Sequence, residues 1–494
     1  VDRFRYRAWA VEHPKRYMAG AVVVGTIDQV LLSSLMVGHA HLRATALLRH
    51  LLVVDEVHAS DAYMTRILED VLDRHLEAGG HALLLSATLG GETRSRLLAP
   101  MKRAAQPPLD LAVRTPYPLV SLHDSGGQDM ALAVRNEGPR RSVKIVTQPW
   151  METPEQLVAH AGDAASHGAK VLVVKNTVRD CVETQQALEA VVDPTLLFTC
   201  AGKAAPHHSR FARADRESLD RALARHLGKK RAAGGCVVIA TQTVQQSLDI
   251  DADLLITDLC PADVLLQRIG RLHRHRRDGR PAGYDQPQTI VVIPHDRDLG
   301  TLLDNRGRAR HHHGLGSVYS DLRILEATWQ LVERYPLWDI PEMNRMLVEQ
   351  SVHTEALDDI TAEKGGPWRE HAAQSIGVAR GETRQAELNI IDRAIHYSET
   401  TFPDTVDQRI TTRLGAGDRR MNFEPPVEGP FGTLVHQLDL RASWAAGVPD
   451  QTHTPDTVQS ADGVTRFHCG GRAFIYDQHG LRPIPSSRAD DTIA

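Results

Sequence analysis

Leu51-Leu52-Val53-Val54-Asp55-Glu56-Val57-His58 is the stretch that decides the fold. Four apolar residues, two of them β-branched, run into two acids and an imidazole. The apolar run predicts a buried strand of a parallel sheet. The acids then fall at its carboxyl end, where open α/β sheets place their ligands. An Asp there can hold a Mg²⁺ that bridges nucleotide phosphates, and a neighbouring Glu can orient or deprotonate the attacking water. An ordinary exposed Asp-Glu pair after a core strand is the other reading of so short a motif. The flanking residues separate the two.

Upstream, Ala21 to Val24 reads as a short buried strand, and Val30 to Val37 as a helix after Gly25-Thr26-Ile27-Asp28-Gln29. Downstream, Met64, Ile67, Leu68, Val71 and Leu72 form a helical stripe over 62–77. Ala82 to Leu85 is the next strand and ends in Ser86-Ala87-Thr88. Strand, helix, strand at these spacings is a right-handed parallel crossover. Pro and Gly crowd residues 104–142 and mark a linker. The alternation then restarts. Strands are expected at 143–146, 171–174, 236–240, 253–257 and 289–293, with helices at 154–167, 178–191 and 262–272. Helices over 322–332, from Pro341 to Val352 and over 382–397 follow, then short strands rich in Pro and Gly. The basic, aromatic residues 1–18 show no period.

The expected fold class is α/β. A first parallel-sheet domain spans 1–115 and a second spans 116–300. A linker helix at 301–345 and a small α+β accessory domain at 346–494 complete the chain. At 494 residues, a prior of about 150 per domain gives roughly three. A net charge of −5 supplies no global basic field, so any nucleic-acid site must be a local groove. The five cysteines are scattered without metal spacing, which fits a reducing, cytoplasmic setting. No apolar run is long enough to span a bilayer, and no signal peptide is visible. His311-His312-His313 reads as an incidental polar loop, since adjacent imidazoles cannot easily face one ion.

The second α/β unit carries Gln267-Arg268-Ile269-Gly270-Arg271-Leu272-His273-Arg274, with Arg271 and Arg274 spaced to share one helix face. A solvated basic face is the bland reading of that string alone. With Asp-Glu-Val-His, Ser-Ala-Thr and Ser247-Leu248-Asp249 in order, the set resembles the motor core of superfamily 2 helicases. Gly25-Thr26-Ile27-Asp28-Gln29, His208-Ser209-Arg210-Phe211, Gln246-Ser247-Leu248-Asp249-Ile250-Asp251, Gly314 to Tyr319 and Phe474 to Leu481 sharpen this. Together they resemble the CRISPR-associated helicase–nucleases of type I systems, over residues 9–482. The likeness is to the actinobacterial form that works with the Cascade surveillance complex.

The resemblance implies two RecA-like domains that use ATP and Mg²⁺ to move single-stranded DNA. By position, Asp55 would hold Mg²⁺ and Glu56 would activate water. His58, Ser86 and Thr88 would couple nucleotide state to motion. Gln267, Arg271 and Arg274 would face the γ-phosphate, and Asp249 would contact the nucleotide. Such arginines are worth about 10³ to 10⁵ in rate, by stabilising charge in phosphoryl transfer. Thr26, Asn176, Thr177 and Thr241 would lie along the DNA backbone, with a simple turn or cap role open for Thr26 and Asn176. Gln245 stands where the family often has Glu. Gly-Lys occurs only in Gly202-Lys203-Ala204 and Gly228-Lys229-Lys230, neither followed by Ser or Thr. The expectation is therefore an N-terminally truncated helicase–nuclease with an incomplete first domain and no nuclease domain. A separate chain could carry the missing segments. Another superfamily 2 motor, or a non-catalytic DNA- or Cascade-binding remnant, are the alternatives.

Overall fold

The computed structural model describes residues 17–484, apart from 60, 100–105, 125–128, 136–137, 139, 246–247, 400–417, 446 and 449–451. The aromatic and basic N-terminal residues therefore lie largely outside the described set, as do Gln246 and Ser247 of the Gln-Ser-Leu-Asp string. Two compact units emerge. The first takes in 1–137, 348–355 and 372–416, and the second 138–347, 356–371 and 417–494. This division runs differently from the boundaries drawn on sequence. The 116–137 segment joins the first unit, and residues from 346 onward are shared between the two.

In the first unit, β1 (Leu51–Val54) pairs in parallel with β2 (His81–Leu84), Val54 standing opposite Leu84. The crossover between them is α1 (Ala62–Glu77). Asp61 caps that helix by accepting from the Met64 amide at 2.7 Å, the bond that satisfies an orphan N–H of the first turn. Tyr63, Ile67, Leu68, Val71 and Leu72 form its buried stripe and pack against Leu31, Leu35, Leu52 and Val54. Removing a buried leucine or isoleucine from such a stripe costs about 2–5 kcal/mol.

Four expectations need correction here. Ala21 to Val24 is not a buried strand: Val22 and Val24 are 87% and 91% exposed, and no described strand pairs with them. Without a ladder partner, an apolar run has neither satisfied amides nor a surface to cover it. The helix expected at 30–37 instead runs Ile27–Leu31. β1 itself is half-buried. Leu52 and Val54 face the core, whereas Leu51 is 61% exposed and Val53 also stands open. The segment read as linker holds a helix at Leu109–Arg114 and a hairpin of Leu119–His123 with Asp129–Ala133.

The second unit is built on six strands: β3 (Arg141–Gln148), β4 (Lys170–Val174), β5 (Cys236–Ala240), β6 (Leu254–Asp258), β7 (Gln288–Val292) and β8 (Leu337–Ile340). Their order is β8-β3-β7-β6-β4-β5, parallel except for the antiparallel edge strand β8. All five residues of β4, of β5 and of β6 are buried, as a parallel sheet covered on both faces requires. The crossovers include α2 (Pro154–Ser166), α3 (Val178–Val191), α4 (Arg213–Leu227) and α5 (Ala262–Ile269). Helix α4 and strand β8 are elements the sequence pattern did not announce. From Arg419 on, a bulged antiparallel pair and a four-stranded meander follow, the latter spanning Thr457 to Pro483. Tyr476 of the meander donates to the buried Asp215 of α4, which also accepts from Thr433 at 2.7 Å. No helix among the described residues is long and apolar enough to cross a membrane.

Candidate functional site

At the carboxyl end of β1 the chain turns sharply. Glu56 takes φ +54°, a left-handed conformation that non-glycine residues adopt at a cost of order 1–3 kcal/mol. Its amide donates to Asp55 Oδ1 at 3.0 Å, and its carboxylate comes back to 3.4 Å from His58 Nδ1. That same nitrogen meets Ser86 Oγ at 2.9 Å, and Ser86 Oγ accepts from the Thr88 amide at 3.3 Å. The residues after β1 and after β2 are thus joined by one imidazole. Backbone bonds from Val57 N to Leu85 O (3.1 Å) and from Leu85 N to Val54 O (2.8 Å) hold the two strand ends in register. Tyr117 Oη donates to Ala87 O at 3.0 Å and steadies the second of them. Asp55 and Glu56 are exposed, while Thr88 is buried. Thr26 is also exposed, at the N-cap of the Ile27–Leu31 helix, and its side chain makes no capping bond.

The donor set fits a hard divalent cation held mainly through phosphate oxygens and water, since Asp55 offers one open carboxylate. Among the described residues no group of three or more His, Cys, Asp or Glu is placed to hold a metal by itself. Gly202-Lys203 is no phosphate loop. Gly202 takes φ +79° in the turn of a two-residue hairpin, and Lys203 Nζ donates to Asp462 O at 3.0 Å. The histidine triplet is tied to carboxylates: His312 to Glu152 at 2.6 Å and His313 to Asp180 at 2.9 Å.

In the second unit, α5 ends at Ile269, so Arg271 and Arg274 lie in the turn beyond it and not on a shared helix face. His273 at φ +46° bends the chain there. Arg271 donates to Leu248 O at 2.9 Å and to Gln245 O. Arg274 Nε stands 2.7 Å from Asp249, which His275 also meets at 2.9 Å. Three residues expected at the nucleotide, Asp249, Arg271 and Arg274, are therefore brought to one loop pair. Gln267 is half-buried on α5. Behind them, the fully buried Asp251 accepts from Arg277 and from Arg280 (2.9 Å), and buried Asp253 from Arg231 (2.5 Å) and Arg280. Burial alone would raise the Asp251 carboxyl, but the bonds from Arg277 and Arg280 take it below the ordinary carboxylate range. Burial, with the Arg280 charge, pushes His273 down to about 4, so it is neutral at pH 7.

Asn176 and Thr241 have other places than an exposed strand contact: both are buried. Asn176 donates to Leu259 O at 2.9 Å and accepts from Arg268 at 3.1 Å, and its amide donates to Asp258 at 2.9 Å. A side chain so committed cannot reach a passing phosphate. Thr177 caps α3, accepting from the Asp180 amide at 3.0 Å. The residue that sequence reasoning passed over is Arg268. It is fully buried and bonds Thr257 (2.5 Å), Asp258 O (3.2 Å), Asn176 and Tyr319 Oη (3.1 Å). Its place in the Gln-Arg-Ile-Gly-Arg string was visible, but nothing in the spacing separates a buried arginine from an exposed one.

Known proteins share this architecture. The family model of the CRISPR-associated nuclease/helicase Cas3 C-terminal region matches residues 167–277. The CRISPR-associated endonuclease/helicase Cas3 of Escherichia coli K12 is 35% identical over 339 residues, covering 66% of this chain and 35% of that protein. The Thermus thermophilus protein of the same description is 30% identical over 453 residues, covering 81% and 46%. The crystal structure of T. fusca Cas3 with AMPPNP superposes with a TM-score of 0.73 at 22% identity, covering 96% of this chain and 58% of that one, a likeness of fold. The fold and motifs are those of a helicase-type α/β protein. The chain belongs to the Cas3 family of CRISPR-associated nuclease/helicases, and it spans less than half the length of these two curated relatives.

Proposed function

We propose that this chain forms the ATP-driven motor part of a CRISPR interference helicase–nuclease, translocating 3′ to 5′ on single-stranded DNA in the cytoplasm alongside a Cascade-type complex. The observation that carries the reading is the His58 bridge, which links Asp55-Glu56 at the end of β1 to Ser86-Ala87-Thr88 at the end of β2. Bound Mg²⁺ would neutralise phosphate charge at Asp55. Glu56, folded back by its left-handed backbone, orients the attacking water and takes its proton. His58 passes any displacement of that acid to Ser86, and so to the segment after β2. Arg271 and Arg274 supply cationic donors for the γ-phosphate, with Gln267 beside them on α5. The Arg274–Asp249 pair must open for that contact. Thr26 and Thr177 are the DNA-facing candidates that keep surface exposure.

Gly-Lys followed by Ser or Thr does not occur among these 494 residues, so the test supplies a phosphate loop. The second reading is a non-catalytic binding module for DNA or Cascade. ATP hydrolysis decides, measured on this chain supplemented with an upstream segment bearing a phosphate loop, with and without single-stranded DNA. DNA-stimulated turnover that falls by about 10²-fold or more in Glu56→Gln is expected, as for loss of a general base. DNA binding indifferent to ATP, with no turnover in any combination, would leave the binding module as the answer.

A further inference from the structure

The His208-Ser209-Arg210-Phe211 string is absorbed by neither the acid site nor the arginine network. His208 and Phe211 point inward, stacked at 4.7 Å, with His208 Nε2 meeting His479 O at 3.0 Å. Arg210 goes the other way. Its guanidinium lies over the Trp444 ring, 4.5 Å from the centroid, in the short turn Ala442–Trp444. That turn is fastened on two sides. Arg472 donates to Ser443 O at 3.3 Å, and the Ala442 amide donates to Asp418 at 2.9 Å. The indole is therefore a fixed platform.

Arg210 has no carboxylate. Among the described residues no hydrogen bond or ion pair is made by its side chain, and its Nε is sealed from solvent without an acceptor. The acids nearby are spent elsewhere. Asp477 holds Arg482 at 2.8 Å, Glu189 holds His479 at 3.2 Å, and Asp439 holds Arg420 at 3.2 Å. The neighbouring charge is another cation, Arg441, and burial together with that repulsion brings Arg210 down to about 10. Half-buried cations are ordinarily paired, because desolvation is otherwise uncompensated. Here the Arg441 charge acts on Arg210, and among the described residues no hydrogen bond or ion pair of the Arg210 side chain offsets it.

We propose that Arg210, stacked on Trp444 and flanked by Arg441, forms a phosphate-binding subsite for the backbone of single-stranded DNA. The stacked face of the guanidinium is taken by the indole, which leaves its edge donors for two phosphate oxygens. Cationic and aromatic side chains side by side are what a sequence-tolerant single-strand groove needs. The site deepens the DNA-translocating reading above and rests on it.

The test is fluorescence anisotropy with a labelled oligo-dT as probe, titrated at several salt concentrations without nucleotide, on the full chain and on Arg210→Gln and Arg441→Gln. Each phosphate contact to a single strand contributes about 0.7 to the slope of log K against log salt. Each variant should flatten the slope by about that amount, and Arg210→Gln should lose about tenfold in affinity at low salt. Arg441 is exposed, so its variant carries the test even if Arg210→Gln folds poorly. Wild-type slope and affinity in Arg441→Gln, or in a folded Arg210→Gln, overturn the subsite. A second arm titrates ATP. Weakened ATP binding with unchanged oligo-dT binding assigns the cations to nucleotide phosphate and also overturns it. Wild-type protein that binds no oligo-dT at all sinks the DNA-translocating reading itself, whereas wild-type binding with unmoved variants sinks only this subsite.

Discussion

The two α/β units carry comparable motifs on unlike foundations. Among the described residues the acid site after β1 rests on one parallel pair of strands, its parts joined by the His58 imidazole and by backbone bonds between the strand ends. The arginine site after α5 rests on a six-stranded sheet, backed by two buried aspartates and three arginines. Half-exposed contacts of the first kind contribute little each, whereas breaking buried ion pairs of the second kind is costly.

The largest effect should come from breaking the second network. Asp251→Ala removes the buried carboxylate that Arg277 and Arg280 share, leaving Arg280 to Asp253 and Arg277 to backbone carbonyls, and should cost about 3–5 kcal/mol, read as a lowered denaturation midpoint. A loss near zero would mean the network is solvated and the contrast is false. Next is β1 itself. Leu52→Ala should cost about 2–5 kcal/mol, and Leu51→Ala, one residue away on the open face, within about 0.5. Equal losses would show that the open face is covered in solution. His58→Ala should cost only about 0.5–1.5 kcal/mol, the net worth of one hydrogen bond, while uncoupling ATP turnover from DNA in the loop-supplemented protein. Unchanged DNA stimulation would remove the coupling role.

The smallest effect is a pH dependence. The hydrogen bond to Asp180 raises the His313 pKa, so the stability it adds is present below about 6.5 and disappears as pH rises through the higher folded value. Burial alone would raise the Asp180 carboxyl, but its bonds from His313 and Thr177 depress it, and that contribution fades as pH falls through the lowered value. The pair therefore contributes most between about pH 4 and 6.5. Stability of wild type minus His313→Gln, measured across about pH 4 to 9, should shrink on the alkaline side. A flat difference would break the assignment.

Much of this was legible in the residues. The five parallel strands of the second unit's sheet fall within a few positions of expectation, because residues buried on both sheet faces must be continuously apolar, and β5 matches its apolar run at both ends. Helix α3 was equally plain, with Thr177 before it and a helical stripe within. Ala21 to Val24 shows the limit. It has the same composition as a core strand, yet composition does not supply a ladder partner. Likewise Asn176, Thr241 and Arg268 have the residue types of a DNA or phosphate site, and only burial shows that they brace the site from behind.

By itself the sequence determined the α/β alternation, the order of the motifs and the family, since these depend on local period and on residue identity at fixed spacing. Only the tertiary structure decided which arginines are free to meet a ligand. Arg268, Arg271, Arg274 and Arg210 are chemically alike along the chain. What separates them is whether the fold brings an acceptor to each guanidinium: Asn176 for Arg268, Leu248 O for Arg271 and Asp249 for Arg274, whereas Arg210 is given only the face of the Trp444 indole.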